Sequence, residues 1–144
     1  VGDTLIVTNG DQTDTIRDYV LAGKSWEEAL TTREFEPDAP NYTPRISALL
    51  AADGSFRMSI LRRGADGSCR RDFFAYPPCG AGEGRFLSTY QGDGDPLPSF
   101  QGDPMAITMP EPEEVWAALD PENKISLYAN VGGTVRVFNK NLGD

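Results

Sequence analysis

The chain contains no histidine, so its acid–base chemistry has few candidates. The absence removes Ser-His-Asp and Cys-His arrangements and most zinc sites, and it leaves proton transfer to Asp, Glu, Tyr, Lys or groups polarised by Arg. Such residues concentrate, beside glycine and proline, in three polar stretches: Thr8 to Asp14 (TNGDQTD), Glu36 to Arg45 (EPDAPNYTPR) and Gly82 to Pro104 (GEGRFLSTYQGDGDPLPSFQGDP). Glycine lets backbone approach a ligand closely, and proline stiffens a loop. Each stretch is attached to an apolar strand or helix, and the expectation is that all three converge on one small-molecule pocket.

Within them, Asn9, Gly10 and Asp11 fall past a strand and before a helix N-terminus, where free N–H groups favour an anion or a polar ligand edge. The plain alternative is a turn and a helix cap. Tyr42 leaves a proline-rich loop with Arg45 three residues on; a phenol near a guanidinium has its ionised form stabilised and can exchange protons. The alternative is packing. Glu83 is the carboxylate of a glycine-rich run, next to Arg85, with room for a substrate or simply for water. Asp93, Asp95 and Asp103 lack the closing glutamate of a helix-loop-helix calcium site, and Cys69 and Cys79 have no metal spacing, so no metal is expected. The two cysteines read as reduced thiols of a cytoplasmic protein, with a disulfide between them left open.

At 39% hydrophobic, the 144 residues fit one domain, 1–144, with a core. No apolar run is long enough to span a bilayer, and no targeting segment opens the chain. A start at Val1 leading directly into a strand suggests a missing upstream segment. The net charge of −9 argues against a nucleic-acid partner, which requires basic stripes. Two local pairs, Arg62-Arg63 and Arg70-Arg71, are expected either to flank a turn in water or to hold one anionic nucleotide.

Thr4 to Thr8 reads as a strand ending at the turn pair Asn9-Gly10. A helix capped by Thr13 or Asp14 runs to Gly23, and Ser25 with Glu28 makes a capping box for a second. Strands are expected over Arg45 to Ala52 and Ser55 to Arg62 around a two-residue turn at Asp53-Gly54, then over Arg71 to Tyr76, Phe86 to Tyr90 and Met105 to Met109. Glu111 to Leu119 reads as a helix, and Ile125 to Val131 and Thr134 to Asn139 flank the hairpin turn Gly132-Gly133. This order defines an α+β class with largely antiparallel sheet covered by helices. Periodicity leaves open whether the strands form one sheet or two. Alternation places Leu5, Val7, Ile46, Ala48, Met58, Ile60, Phe74, Leu87, Leu127 and Val137 in the interior.

Four segments taken together, Val7 to Asp14 (VTNGDQTD), Glu36 to Ile46 (EPDAPNYTPRI), Gly84 to Gly94 (GRFLSTYQGDG) and Pro96 to Phe100 (PLPSF), resemble the archaeal-type IMP cyclohydrolases and their bacterial relatives. The resemblance implies a four-layer αββα sandwich like that of the N-terminal nucleophile hydrolases. It implies ring closure of 5-formamidoimidazole-4-carboxamide ribonucleotide to inosine monophosphate with loss of water, without metal or redox cofactor, on a purine ribonucleotide. Family members carry an upstream segment that this chain lacks. Under the resemblance Tyr42 and Glu83 handle protons, Arg45 meets developing negative charge, and Asn9, Asp11, Asn41, Arg85 and Tyr90 position the substrate; a homo-oligomer is compatible with it. A non-catalytic purine-nucleotide-binding module and an amidohydrolase acting on another ribonucleotide are the alternatives.

Overall fold

A computed structural model describes residues 1–142. Its elements are β1 (Leu5–Thr8), α1 (Gln12–Leu21), α2 (Trp26–Thr31), β2 (Arg45–Leu50), β3 (Phe56–Arg63), β4 (Cys69–Tyr76), β5 (Glu83–Phe86), β6 (Met105–Thr108), α3 (Pro112–Ala118), β7 (Ser126–Val131) and β8 (Thr134–Asn139). The chain is mixed α and β: a four-stranded antiparallel sheet in the order β1-β2-β3-β4, and two-stranded pairs β5-β6 and β7-β8. It gathers into two compact units, Val1–Ile107 and Thr108–Asp144. No helix is long and apolar enough to cross a membrane among the described residues.

The hairpin between β2 and β3 departs from the expected two-residue turn. Ala51 N–H donates to Ser55 O at 2.9 Å and Leu50 faces Phe56, so the loop holds three residues, with Gly54 at φ 83° in the left-handed position that such loops require. A two-residue turn would have set Ala52 opposite Ser55 and slipped every pair by one. The observed register instead aligns Ile46 with Ile60 and Ala48 with Met58 on one face. The Gly132-Gly133 turn between β7 and β8 is two residues long, as expected, with φ 57° and 86°.

At the start of α1 the cap differs from the one expected. Asp11 occupies the N-cap position, its carboxylate bonded to Arg33 and Arg45, while the Thr13 hydroxyl donates back to Gly10 O at 2.9 Å. Helix α2 carries the expected reciprocal box: Glu28 N–H donates to Ser25 Oγ at 3.1 Å and Ser25 N–H to Glu28 Oε2 at 2.8 Å.

Side chains alternate across the four-stranded sheet, and α1 and α2 cover one face of it. There Ile16, Trp26, Ala29, Leu30 and Leu61 form the core, with Ile6 and Leu49 packed against it. Trp26 meets Phe73 edge-on at 5.9 Å. The residues expected in the interior belong to the opposite face. Ile60 is buried, but Leu5 and Val7 are exposed and Ile46, Ala48, Met58 and Phe74 are half-buried. Alternation grouped these residues on one face correctly; the helices lie on the other. Leu87 is half-buried as well, and in the second unit Leu127 is half-buried and Val137 exposed, because packing there centres on Trp116 stacked on Phe138 at 5.9 Å.

Each arginine pair is split: Arg63 and Arg70 are exposed beside the turn, as the plain reading expects, and their neighbours are not. Arg62 is buried, donating to Phe100 O at 2.6 Å and to Asp72 at 2.7 Å. Arg71 donates to Arg33 O at 2.7 Å and Leu30 O at 3.2 Å, tying β4 to the end of α2. Cys69 and Cys79 are both free thiols, and burial raises the Cys69 pKa.

Candidate functional site

Three polar loops do meet, at the end of the four-stranded sheet where β1 finishes and β2 begins. Asn9 stands at the centre. Its Nδ2 donates to Pro44 O at 2.8 Å and to Thr89 Oγ1 at 3.4 Å, while its Oδ1 accepts from Ile46 N at 3.0 Å and from Gln12 Nε2 at 3.0 Å. One side chain therefore touches all three stretches singled out in the sequence. Both of its polar atoms are occupied, which makes it the brace of the junction.

The Glu36 to Arg45 loop is held by Asp38. Its carboxylate accepts Thr43 N–H at 2.7 Å and bonds the Thr43 hydroxyl, which also lies 2.5 Å from Tyr90 Oη. The Thr43 hydroxyl, followed by the Thr43 amide, lowers the Asp38 pKa. Asn41 Oδ1 accepts Leu97 N–H at 3.0 Å, a second tie to the third stretch. Between these anchors Tyr42 adopts φ 46°, a left-handed conformation that costs a non-glycine residue about 1 kcal/mol or more. The Tyr42 ring meets Phe35 edge-on at 5.7 Å, and Arg63 Cζ lies 4.5 Å over its face. The Tyr42 hydroxyl makes no hydrogen bond among the described residues. Arg63 thus holds the place beside Tyr42 that the sequence assigned to Arg45.

Arg45 turns to the helix-covered face and is almost fully buried. Its Nε donates to Glu34 O at 2.8 Å, and its terminal nitrogens reach Gln12 Oε1 at 3.0 Å, Glu36 Oε2 at 2.9 Å and the Asp11 carboxylate. Asp11, shared with Arg33, has its pKa lowered by Arg33 first and Arg45 after it. These two residues bind β2, α1 and the chain after α2 together, and their hydrogen-bonding capacity is directed inward.

Glu83 and Arg85 lie elsewhere. Arg85 Cζ stacks 4.7 Å over Tyr76, in the cross-strand row of Leu5, Leu50 and Phe56. That row is four residues of β1 from Asn9, about 13 Å away at strand rise. Glu83, exposed on β5, accepts Gly80 N–H at 3.3 Å within its own loop. Of Asn9, Tyr42 and Glu83, expected to line one cleft, Asn9 lines the apolar one of the two clefts beside the junction, and Tyr42 and Glu83 line neither. The strand expected over Phe86 to Tyr90 begins and ends earlier for a related reason. From Leu87 the chain leaves β5, and Tyr90 bridges to Ser99 while Phe100 N–H donates to Thr89 O at 3.1 Å.

Two open clefts flank this junction. One of about 260 Å³ is apolar, with Val7, Ile46, Ala48, Met58 and Leu87 among its walls and Thr8 and Asn9 at its rim. The other, of about 570 Å³, is polar and lined by Arg63, Gln91, Gly92, Asp93, Ser99 and Gln101; both are sized for a small molecule or part of one. The sequence did not single out Asp38, Thr43 or Thr89, and it marked Arg63 only as one of a pair that could hold an anionic nucleotide. An Asp five residues before a Thr in a proline-rich loop is a turn-forming signal that would have found the first pair.

Mostly antiparallel sheet and a few helices, bracing polar loops beside open clefts, make this a mixed α and β protein. The model of the IMP cyclohydrolase-like protein family matches residues 1–134, and the chain belongs to that family. No solved structure matches it.

Proposed function

We propose that this chain acts as an IMP cyclohydrolase, closing 5-formamidoimidazole-4-carboxamide ribonucleotide to inosine monophosphate. The observation that carries the reading is the junction at Asn9, where the loops of Asn41–Tyr42–Thr43 and Thr89–Tyr90 meet, in a chain whose family match spans nearly its whole length.

In the reaction the carboxamide nitrogen attacks the formyl carbon, forming a C–N bond. The formyl oxygen then leaves as water with one proton from that nitrogen and one from the formamido nitrogen, whose bond to the same carbon becomes double as the C–O bond breaks. The protein must hold the two groups in contact, take a proton and return one to the departing hydroxyl. Tyr42, its phenol free of internal partners, is the group placed to exchange these protons. Tyr90, linked to it through Thr43, and Asn41 position the substrate, and Asn9 holds their loops in register. Asp11 and Arg45 act at one remove by fixing the helix-side end of β2. Glu83 and Arg85, some strand rows away, enter only where the substrate or a movement of β5 reaches them. The four-layer αββα arrangement is the architecture that fits this reading.

A second reading, a purine-nucleotide-binding module without turnover, is favoured by the inward commitment of Arg45, which leaves developing negative charge without that guanidinium. Incubating the protein with the formamido ribonucleotide and following inosine monophosphate separates the two. Formation above the uncatalysed rate supports the enzyme. Tight binding of inosine monophosphate with no turnover supports the module, and neither binding nor turnover sinks both.

A further inference from the structure

In a chain with 22 acidic against 13 basic residues, an arginine without a carboxylate stands out. Arg17, Arg57 and Arg136 form surface ion pairs, Arg33 and Arg45 share Asp11, Arg62 and Arg70 share Asp72, and Arg71 holds backbone carbonyls. Arg63, exposed and near enough to Asp66 for its charge to lower that carboxyl's pKa, forms no ion pair and no hydrogen bond among the described residues. Its guanidinium lies over the Tyr42 ring, a contact that engages the cation's charge and none of its N–H donors. Arg85 shares this condition on Tyr76, but at the other end of the sheet from the loop junction.

Arg63 also lines the polar cleft of about 570 Å³. The remaining wall supplies amide, hydroxyl and backbone groups from Gln91, Gly92, Ser99 and Gln101, with one carboxylate, Asp93. Held on an aromatic platform, a guanidinium keeps a planar fork of donors whose geometry matches two oxygens of a phosphate. The left-handed backbone of Tyr42 at φ 46°, braced through Asp38 and Thr43, fixes that platform.

We propose that Arg63, laid on Tyr42, is the anion-binding residue of a phosphomonoester subsite in this cleft. The inference rests on the ribonucleotide reading above and assigns its 5′-phosphate a place. Tyr42 is then a positioning residue for Arg63 through its ring, a role separate from that of its hydroxyl. Because Asp93 shares the cleft, removing Arg63 leaves a wall that repels a phosphate.

The test is calorimetric binding of inosine 5′-monophosphate, inosine and ribose 5-phosphate to the 144-residue chain, at low and moderate salt. The wild type should bind the nucleotide about 10- to 100-fold more tightly than the nucleoside, with affinity falling as salt rises. Arg63→Ala should erase that gap and its salt dependence while leaving inosine binding unchanged. Arg63→Lys, which keeps the charge and loses the fork, should keep part of the gap and guards against a folding defect in the alanine variant. Tyr42→Phe should retain the gap and Tyr42→Leu should reduce it. Asp93→Asn should widen it. A gap that survives Arg63→Ala, or equal loss of nucleotide and nucleoside, overturns the inference. Arg63-dependent binding of ribose 5-phosphate without binding of either purine upholds it and overturns the purine reading. Purine binding indifferent to the phosphate does the reverse, and a wild type that binds none of the three overturns both.

Discussion

The two faces of the four-stranded sheet are built from similar strand sequences and end in different states. On the helix side Ile16, Ala29, Leu30 and Leu61 have no exposed surface, and two of the arginines on that side, Arg45 and Arg71, have donors taken by several protein acceptors. On the other side Val7 is 52% exposed and Leu50 43%, and the segment after β5 crosses the sheet only in part. At the end of the covered face, beyond Leu61, stand the Tyr42 phenol and the Arg63 guanidinium with donors to spare. The contrast teaches where stability and where chemistry reside: the covered face holds the strands in register, and the loops leaving its end carry groups whose bonding is unfinished.

The contrast breaks most visibly through turnover. Tyr42→Phe keeps the ring, its contact with Phe35 and the platform for Arg63, and removes only the phenol hydroxyl. Turnover of the formamido ribonucleotide should fall about 10² to 10⁴-fold, with nucleotide affinity and melting temperature nearly unchanged. An unchanged kcat would return Tyr42 to packing and platform alone.

Next in size is the difference between the faces themselves. Leu61→Ala empties a fully buried position between β3 and the helices and should destabilise by about 2–5 kcal/mol. Val7→Ala, on the open face, removes methyl groups that already see water and should cost less than about 1 kcal/mol. Urea unfolding of both variants measures this. Equal losses would mean that the second face is as closed as the first.

What the sequence made legible follows the same division. Alternation identified which residues share a face, since Leu5, Val7, Ala48, Met58 and Phe74 fall on one side as grouped. It carried no information about which face the helices would cover, because Ile6, Leu49 and Leu61 alternate with them equally well. The polar stretches announced the junction at Asn9, since glycine, proline and amide side chains do not collect in strands for packing reasons. Individual roles were less legible. Arg45 and Arg63 are both strand-end arginines on the Leu61 side of the sheet, and the acceptors waiting at Gln12, Glu34 and Glu36 decide that the first is buried. Glu83 belonged with Tyr42 only while the length of chain between Glu83 and Thr89 was uncounted.

A smaller effect of opposite sign sharpens the account of the covered face. Ser59, at 0% exposure, and its register partner Ser47 have hydroxyls without a partner among the described residues. A buried hydroxyl so placed is a desolvation cost. Ser59→Ala should therefore raise stability by roughly 1 kcal/mol, seen as about 2–4 °C in melting temperature. A loss of stability instead would show that a water or the neighbouring serine satisfies it.

The smallest expected effect concerns Asp11, which joins the exposed loop to the buried Arg45. Arg33 first, and Arg45 after it, hold its carboxyl below the ordinary value of 3.8. A carboxyl whose pKa is depressed on folding adds stability that is fully present above its unfolded pKa, near 4, and is lost as pH falls through the lower folded value. Asp11→Asn should therefore lower the melting temperature by a constant amount above about pH 5, and the gap should close between roughly pH 4 and pH 2. Asp38, Asp53 and Asp66 are depressed too, so both proteins destabilise in acid and only the difference between them reports on Asp11. The side chain is two-thirds exposed, which keeps the difference small through solvent screening. Arg45 retains Glu36 and Gln12 in the variant, so the sheet should keep its register. A gap that persists unchanged to pH 2 would mean that Asp11 contributes through its hydrogen-bonding geometry, not its charge.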